Sequence, residues 1–377
     1  MIGLRIAHLI GSLHASAASS FAINLARWLV QNEHDALLLS SGGVRESECQ
    51  DEGLSVQRYA DKGLRMLAGR GRKLLARLTE WKPDVIHVHR LAQVPLGGDL
   101  ACKLGVPLVV SVHCPIEPDD AETLDRPYIE YVTVPNEEFR AHLVARLGLD
   151  RDRVVVLPYG VDMERFARPV SRTGVRTVGT VTRFDDQRDG AVMLIEALAS
   201  LREQDHDVRG LIVGSGAGHD DLERLIADAG LREVIELQEA GAHIAPALAR
   251  MDVFAYPFRR DTHSISVIKA MSSQCAVVAA AVGSIQGMVV DGETGMLVPP
   301  GDTDALTLAL GKLVTRPGLA ARMGQAGRER VAENHDVKKV GKVAHQLYRS
   351  AVRGGATRTS GVETVIAYRR LSSDGDT

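Results

Sequence analysis

The chain has 377 residues, with 45 basic and 48 acidic side chains and a formal net charge of −3. That length predicts two domains with full-size cores, and the near-balanced charge excludes a nucleic-acid binder driven by bulk electrostatics. Only 4% of residues are aromatic, which argues against base-stacking platforms and cellulose-type grooves, and the four scattered cysteines form no Cys-x-x-Cys pair or disulfide framework, so a reducing, cytoplasmic setting is expected.

In chain order, an apolar run at 4–10 reads as a buried first strand. Arg5, that run and Ala15-Ser16-Ala17 mimic a signal peptide, but the run is short and His8 breaks it. A small-residue loop is expected over 11–20, then a helix over 21–30 from the spacing of Phe21, Leu25, Trp28 and Leu29. A second strand follows at 36–39 and a loop around 43–53. Short apolar runs at 85–89, 108–113, 131–134 and 154–157 alternate in part with helical patterns at 97–104 and 137–147. Strands alternating with helices mean βαβ units and a parallel sheet.

Residues 168–174 (RPVSRTG) have the composition of a linker, and the alternation then restarts. Strands are expected at 176–181, 211–213, 234–237, 253–256 and 276–280, with helices at 191–202, 220–229, 264–271, 304–314, 319–332 and 337–352. The expected organisation is a Rossmann-like domain over 1–167 and a second Rossmann-like domain over 168–335. A C-terminal helix at 336–352 would pack back on the first domain, and 353–377 would form a mobile tail. Residues 270–290 carry no charge, but their serines, glutamines and glycines argue for strand, turn and helix rather than a membrane span. Polar groups gather at the turns of 252–302. In an open α/β sheet these turns lie at strand carboxyl ends, where helix N-termini take anions.

An ordered set of short motifs gives this layout a family likeness. VTRF at 181–184, IVGSGAGHDDL at 212–222, DVFAYP at 252–257, IKAMSSQCAVVA at 268–279 and DGETGMLVPPGD at 291–302 follow one another. PDVIHVH at 83–89, VPLVVSVH at 106–113 and LPYGVDMERF at 157–166 precede them. The set resembles the family-four (group 1) retaining glycosyltransferases over nearly the whole chain to Val352. The resemblance implies an α/β GT-B fold, two Rossmann-like domains facing across a cleft. It implies transfer of a sugar from a nucleotide-diphosphate donor to a glycan or lipid-linked acceptor, with no further cofactor and no metal.

Carried over residue by residue, the resemblance assigns Arg183 to the donor diphosphate, where a guanidinium fork suits phosphate oxygens. Its second cation falls at Arg188 or is lost, because Asp189 stands directly before Gly190. Gly214 and Gly216 match a Gly-x-Gly beside the nucleotide; by themselves such glycines often only turn the chain, and no first-half fingerprint supports a nicotinamide cofactor. Ser264, Ile265 and Ser266 form a helical first turn whose N–H groups suit a diphosphate, or which Ser264 or Thr262 simply caps.

Two family glutamates with seven residues between them, one facing the sugar and one the ribose, correspond to Asp261 and Lys269. An ammonium cannot accept the ribose hydrogen bonds. The family also has Glu at Gly287 and Gly at Gln274. His113 matches a histidine that touches the transferred sugar; the plain alternative is a strand-end histidine satisfied locally. His87 and His89 have metal-like spacing but no nearby carboxylate or cysteine pattern, so no metal is assigned.

From Lys62 to Lys82 (KGLRMLAGRGRKLLARLTEWK) the chain is basic, with Leu67, Leu74, Leu75, Leu78 and Trp81 near helical spacing. This is a peripheral membrane contact at the inner face, or a solvated basic face over a core stripe. Two rivals to a transferase remain on these residues. One is a catalytically degenerate relative that binds a glycan, nucleotide or partner, motivated by Asp189, Lys269 and Gly287. The other is a GT-B sugar-nucleotide epimerase.

Overall fold

The computed structural model describes residues 3–14, 16–59, 70–114, 116, 121–167, 176–185, 188–241, 244–259 and 264–354. Seven parallel strands form a first sheet: β1 (Arg5–Gly11), β2 (Asp35–Ser40), β3 (Ser55–Arg58), β4 (Val85–Val88), β5 (Leu108–Ser111), β6 (Ile129–Val134) and β7 (Val154–Val156). Their order is β3-β2-β1-β4-β5-β6-β7. Six more form a second parallel sheet: β8 (Arg176–Arg183), β9 (Val208–Ser215), β10 (Ile235–Glu239), β11 (Val253–Tyr256), β12 (Ala276–Ala280) and β13 (Gly295–Val298), in the order β10-β9-β8-β11-β12-β13. Every residue of β4, β5, β11 and β12 is buried, the pattern of parallel strands covered by helices on both faces.

One compact unit runs from the start of the chain to Gly160 and takes in the segment from Val337; the other spans Val161–Asp336. In the first, helix Val337–Val352 packs on helix Ala17–Gln31. Gly341 permits this, because a Cβ there would collide with the Trp28 ring. The linker-like residues 168–174, most of the tail from 355 and Asp261 lie outside the described residues.

Three local expectations need correction. The loop expected over 11–20 ends at Ser16, whose side chain accepts from the Ser19 N–H at 3.1 Å and starts the helix four residues early. The loop expected around 43–53 holds helix Glu46–Asp51. Its buried face is ionic rather than apolar: Arg45 pairs with Glu48 at 2.7 Å, Arg58 with Glu46 at 2.8 Å, and Arg27 with Glu52. Hydrophobic periodicity cannot see such a helix. Strand β3 (SVQR) was not anticipated either, because an edge strand exposed at both ends and half-buried between them shows no apolar run.

In helix Arg70–Trp81, Leu74 and Leu78 are buried in the first unit's core, and Leu75 and Trp81 pack against it. The apolar stripe is therefore used internally, while Arg72, Lys73 and Arg77 face solvent. The first eight residues of the basic stretch, 62–69, lie outside the described residues. Among the described residues no helix is long and apolar enough to cross a membrane.

Candidate functional site

The strand order of the second sheet reverses between β8 and β11, which places a switch point at their carboxyl ends. Arg183 ends β8 and pairs in register with Ser215 at the end of β9. After β11, helix Ile265–Ser272 begins at Ser264. Ser264 has extended backbone at the N-cap, yet its side chain makes no capping hydrogen bond, and the first turn holds no acidic residue. This first turn differs from those after Ser16, Asn136 and Asp302, each of which caps its helix through its side chain. The uncapped N–H groups carry the positive end of the helix dipole. Thr262, the other capping candidate, lies outside the described residues.

Gly214 sits within β9, where a Cβ would collide with the Thr182 carbonyl and the Phe184 ring. Gly216 has φ +139°, and a Cβ there would collide with the Asp185 carboxylate. That same carboxylate accepts from the Ala217 N–H at 2.6 Å. A carboxylate of the chain thus already engages the glycine loop. The following helix, His219–Asp228, carries Asp220 and Asp221 in its first turn, which opposes an anion there.

Asp189 accepts from the Gly190 N–H at 3.0 Å, so a carboxylate takes an amide at the start of helix Arg188–Glu203. Gly190 is needed for packing, since a Cβ there would collide with the Phe258 ring. Arg188 is the first residue of this helix, and its side chain is outside the description. Asp185, Asp189, Glu196, Arg259 and Thr303 line a concavity of about 380 Å³ together with Val192 and Met193.

Lys269 is half-buried on helix Ile265–Ser272. Gln274 has φ +56°, a left-handed conformation that suits glycine, and its side chain donates to Gln325 Oε1 at 2.7 Å. Gly287 has no such demand: a Cβ there meets nothing within 4 Å.

In the first unit the order reverses between β1 and β4. Here four imidazoles gather: His8 on β1, His87 on β4, His89 just beyond it and His113 beyond β5. His8 and His87 are register partners, and the ring nitrogens of His8, His87 and His89 lie within 4.8 Å of one another. Four of their six nitrogens already serve protein groups, while His8 Nε2 and His89 Nδ1 have no partner among the described residues. His8 Nδ1 and His89 Nε2 share a hydrogen bond of 3.0 Å. His87 bonds the Tyr348 hydroxyl through Nδ1 and the Ser111 hydroxyl through Nε2, both at 2.7 Å. Ser111 continues to Thr133 at 2.6 Å, completing a buried polar chain across β4, β5 and β6. A metal held by all three rings would have to displace a hydrogen bond of His87, whose two nitrogens are both engaged. The exposed group His219, Asp220 and Glu223 holds ordinary solvated carboxylates at a helix start.

Burial pushes His8 down to about 3 and holds His87 and His89 well below the usual imidazole range. His113 is likewise pushed to about 3, by burial first and by the nearby Arg90 cation second. Its Nδ1 lies 3.2 Å from the Tyr159 hydroxyl, and its buried Nε2 has no partner among the described residues. Beside it, Gly11 at φ +83° leaves room for Gln93 and Arg90, whose side chains a Cβ would crowd.

The structure thus sorts the sequence-derived residues into two groups by unit. Arg183, Gly214, Gly216, Ser264, Ile265, Ser266 and Lys269 belong to the second sheet's strand ends and the helix that follows β11, and His113 to the first sheet. Sequence reading missed Asp185, Arg259, Arg90, Gln93 and Tyr159. The available signal was position alone: Tyr159 stands in a quoted motif, Asp185 and Arg90 directly follow one, and Arg259 and Gln93 lie two and four residues past one.

Two family models match the chain, Glycosyltransferase Family 4 over residues 18–165 and Glycosyl transferases group 1 over residues 175–316. The MMP alpha-(1->4)-mannosyltransferase of Mycolicibacterium hassiacum is 27% identical over 297 residues, 71% of each chain. The GDP-mannose-dependent alpha-(1-6)-phosphatidylinositol monomannoside mannosyltransferase of Mycolicibacterium smegmatis is 36% identical over 201 residues, 47% of this chain and 51% of that one, so the match spans about half of that relative. A glycosyltransferase structure from Rickettsia africae superposes with a TM-score of 0.81 at 18% identity, covering 94% of this chain and all of that one. Anabaena Alr3699/HepE in complex with UDP-glucose superposes with a TM-score of 0.77 at 18% identity over 92% of this chain and all of that one. At such identity these two likenesses show the fold, while the paired family models reach from helix Ala17–Gln31 to the end of helix Thr303–Thr315. The chain belongs to the group 1, family-four glycosyltransferases and has their GT-B fold of two parallel-sheet α/β domains.

Proposed function

We propose that the protein transfers a hexosyl group, with retention, from a nucleotide-diphosphate sugar to a glycan or lipid-linked acceptor, without a metal ion. The observation that carries this is the bare first turn of helix Ile265–Ser272, next along the sheet from the strand that ends in Arg183. Oriented N–H groups and a guanidinium suit the charge that grows on a departing diphosphate. His113 and Asp261 take the sugar-side roles that the family resemblance implies. The names of the mannosyltransferase relatives make GDP-mannose the first donor to test, and the UDP-glucose complex of the Anabaena neighbour makes UDP-glucose the second.

The test is transfer and donor hydrolysis over a panel of nucleotide sugars, with product anomers read by NMR and EDTA present in one arm. Turnover with retained configuration that survives EDTA is expected. Absence of turnover and of nucleotide binding across the panel would overturn the reading. Stabilisation by UDP, GDP or ADP identifies the base: a ligand at a hundredfold excess over its dissociation constant adds ~2.7 kcal/mol.

We extend the proposal to peripheral contact with an anionic membrane through the exposed Arg72, Lys73 and Arg77. Sedimentation with phosphatidylglycerol vesicles at low salt and release at high salt are expected; equal binding to neutral vesicles would refute it.

A second reading, a degenerate binding protein, is favoured by a specific observation: Asp185 and Asp189 hold backbone amides at two strand-to-helix junctions near the switch point. On that reading the double variant D189K/K269E gains nucleotide-diphosphate affinity that the native chain lacks. Tight binding by the native chain eliminates it.

A further inference from the structure

Tyr159 follows β7 in the LPYGVD stretch and is fully buried in the first unit. Its ring stacks on that of His113, with centroids 5.6 Å apart and planes inclined by 29°. On another side His89 stacks on His113 at 5.8 Å and 17°, and Phe21 meets it edge-on at 5.4 Å. Phe21 also touches Tyr159 at 5.8 Å. The imidazole is therefore packed among three rings, and its two nitrogens have fixed and different surroundings. Nδ1 faces the Tyr159 hydroxyl at 3.2 Å, while Nε2 is buried without a partner among the described residues.

The direction of the bond between them follows from chemistry. A phenol is a stronger acid than a neutral imidazole N–H, and an imidazole lone pair is a stronger acceptor than a phenol oxygen. We propose that Tyr159 is a positioning residue whose hydroxyl donates to Nδ1 of His113, holding the neutral ring's single proton on Nε2 and making that nitrogen a donor to a ligand oxygen. Burial and the Arg90 charge keep the ring neutral, so one nitrogen must donate and the other accept. A buried N–H left without an acceptor is unfavourable, and an arriving oxygen relieves it.

Where this rests on the transferase reading, it assigns His113 a defined task. A ring protonated on Nε2 cannot take the proton of the attacking acceptor hydroxyl. It binds an oxygen of the transferred group, and Tyr159 keeps it in the form that does so.

The test has one arm independent of turnover. Long-range proton–nitrogen correlation spectra of the native chain labelled with 15N-histidine report which ring nitrogen is protonated, and H113Q identifies the signals. Between about pH 6 and 8, where an unperturbed histidine titrates, the expected pattern is a protonated Nε2, an unprotonated Nδ1 and no titration. Y159F, folded by circular dichroism, is expected to mix the two tautomers. A native ring protonated on Nδ1, or a Y159F tautomer identical to the native one, overturns the proposal whether or not any sugar is transferred. In the turnover arm, Y159F is expected to lower kcat about tenfold, equivalent to ~1.4 kcal/mol of barrier, with donor KM within about twofold. H113Q, which retains an N–H donor, is expected to keep more activity than H113A. Equal loss in H113Q and H113A would refute the donor role.

Discussion

The two sheets share the order of their first six strands and reverse direction beside their first strand, yet they line the reversal with opposite chemistry. At β1 and β4 the reversal is flanked by four neutral imidazoles held by hydroxyls, stacked rings and one another. At β8 and β11 the flanking groups are charged and mostly exposed: Arg183, Asp185 and Arg259, with Asp189 at the next helix start. The parallel-sheet topology fixes where a ligand can approach, and the residues at the strand ends fix what kind. On the proposed reading, the neutral cluster would orient uncharged oxygens and the charged edge with its bare helix start would take phosphate. If this contrast is real, the two regions respond to different perturbations.

The largest effect is expected from His87. H87A takes the His87 partner from the buried Tyr348 hydroxyl, leaves Ser111 only its bond to Thr133, and opens a cavity between sheet and C-terminal helix. The orphaned Tyr348 hydroxyl costs ~1–3 kcal/mol, and the cavity adds to this, so a loss of about 3 kcal/mol is expected in urea unfolding. A loss under about 1 kcal/mol would mean that the buried chain does not hold the first unit together.

Acid should act on the same cluster. The four histidines stay neutral in the fold, His8 and His113 down to about 3. The unfolded chain takes up protons near the ordinary value of 6.5. Below that value the unfolded state binds more protons, so stability is full above it and falls as pH falls. Each histidine contributes a slope approaching ~1.4 kcal/mol per pH unit in the window between its two values. Urea midpoints measured from about pH 7 to 4 check this; a flat profile would contradict the dry, neutral environment.

The charged edge should respond to ligand rather than to unfolding. R183A is expected to weaken nucleotide-diphosphate binding by on the order of tenfold to a hundredfold, the size of ~1.5–3 kcal/mol for a charge-assisted hydrogen bond, with little change in melting temperature. Isothermal titration calorimetry reads this directly. Equal affinity in native and variant chains would remove Arg183 from the donor site. A smaller effect, of opposite sign for stability, is expected at Gln274. Its left-handed backbone costs a non-glycine residue ~1 kcal/mol, so Q274G should raise stability by somewhat less than that, since the contact with Gln325 is lost. Destabilisation would show that the side-chain contact outweighs the backbone strain.

The contrast also explains what could be read from the sequence. Strands such as 253–256 and 276–280 were legible to the residue, because fully buried parallel strands are unbroken apolar runs. The helices at 137–147 and 337–352 were equally plain, with apolar spacing bounded by Asn136 and Gly148 in the first case. Helix Glu46–Asp51 was not, because ion pairs with Arg27, Arg45 and Arg58 replace its apolar face. At the sites, residue types indicated chemistry but not partners. Gly216 read as a nucleotide-side glycine or a plain turn, and the sequence did not show its neighbour Asp185, a contact made across the strand ends that no linear spacing encodes. His87 and His89 looked like a spaced pair. Their partners, Tyr348, Ser111 and His8, come from 261, 24 and 81 residues away, respectively.

The smallest predicted effect bears most directly on the bare helix start. Two serines occupy N-cap positions with extended backbone, Ser16 before helix Ala17–Gln31 and Ser264 before helix Ile265–Ser272, and only Ser16 bonds a first-turn N–H. S16A should therefore cost ~1 kcal/mol, the usual value of a lost serine cap, and S264A only a few tenths, since no capping bond is lost. If the amides after Ser264 take a diphosphate with help from its hydroxyl, GDP or UDP stabilises the native chain and S16A equally and stabilises S264A less. Paired thermal melts of the two variants, with and without nucleotide, resolve both halves. A loss of ~1 kcal/mol in S264A without ligand would mean that its hydroxyl caps the helix in solution, leaving those amides occupied and the anion site closed.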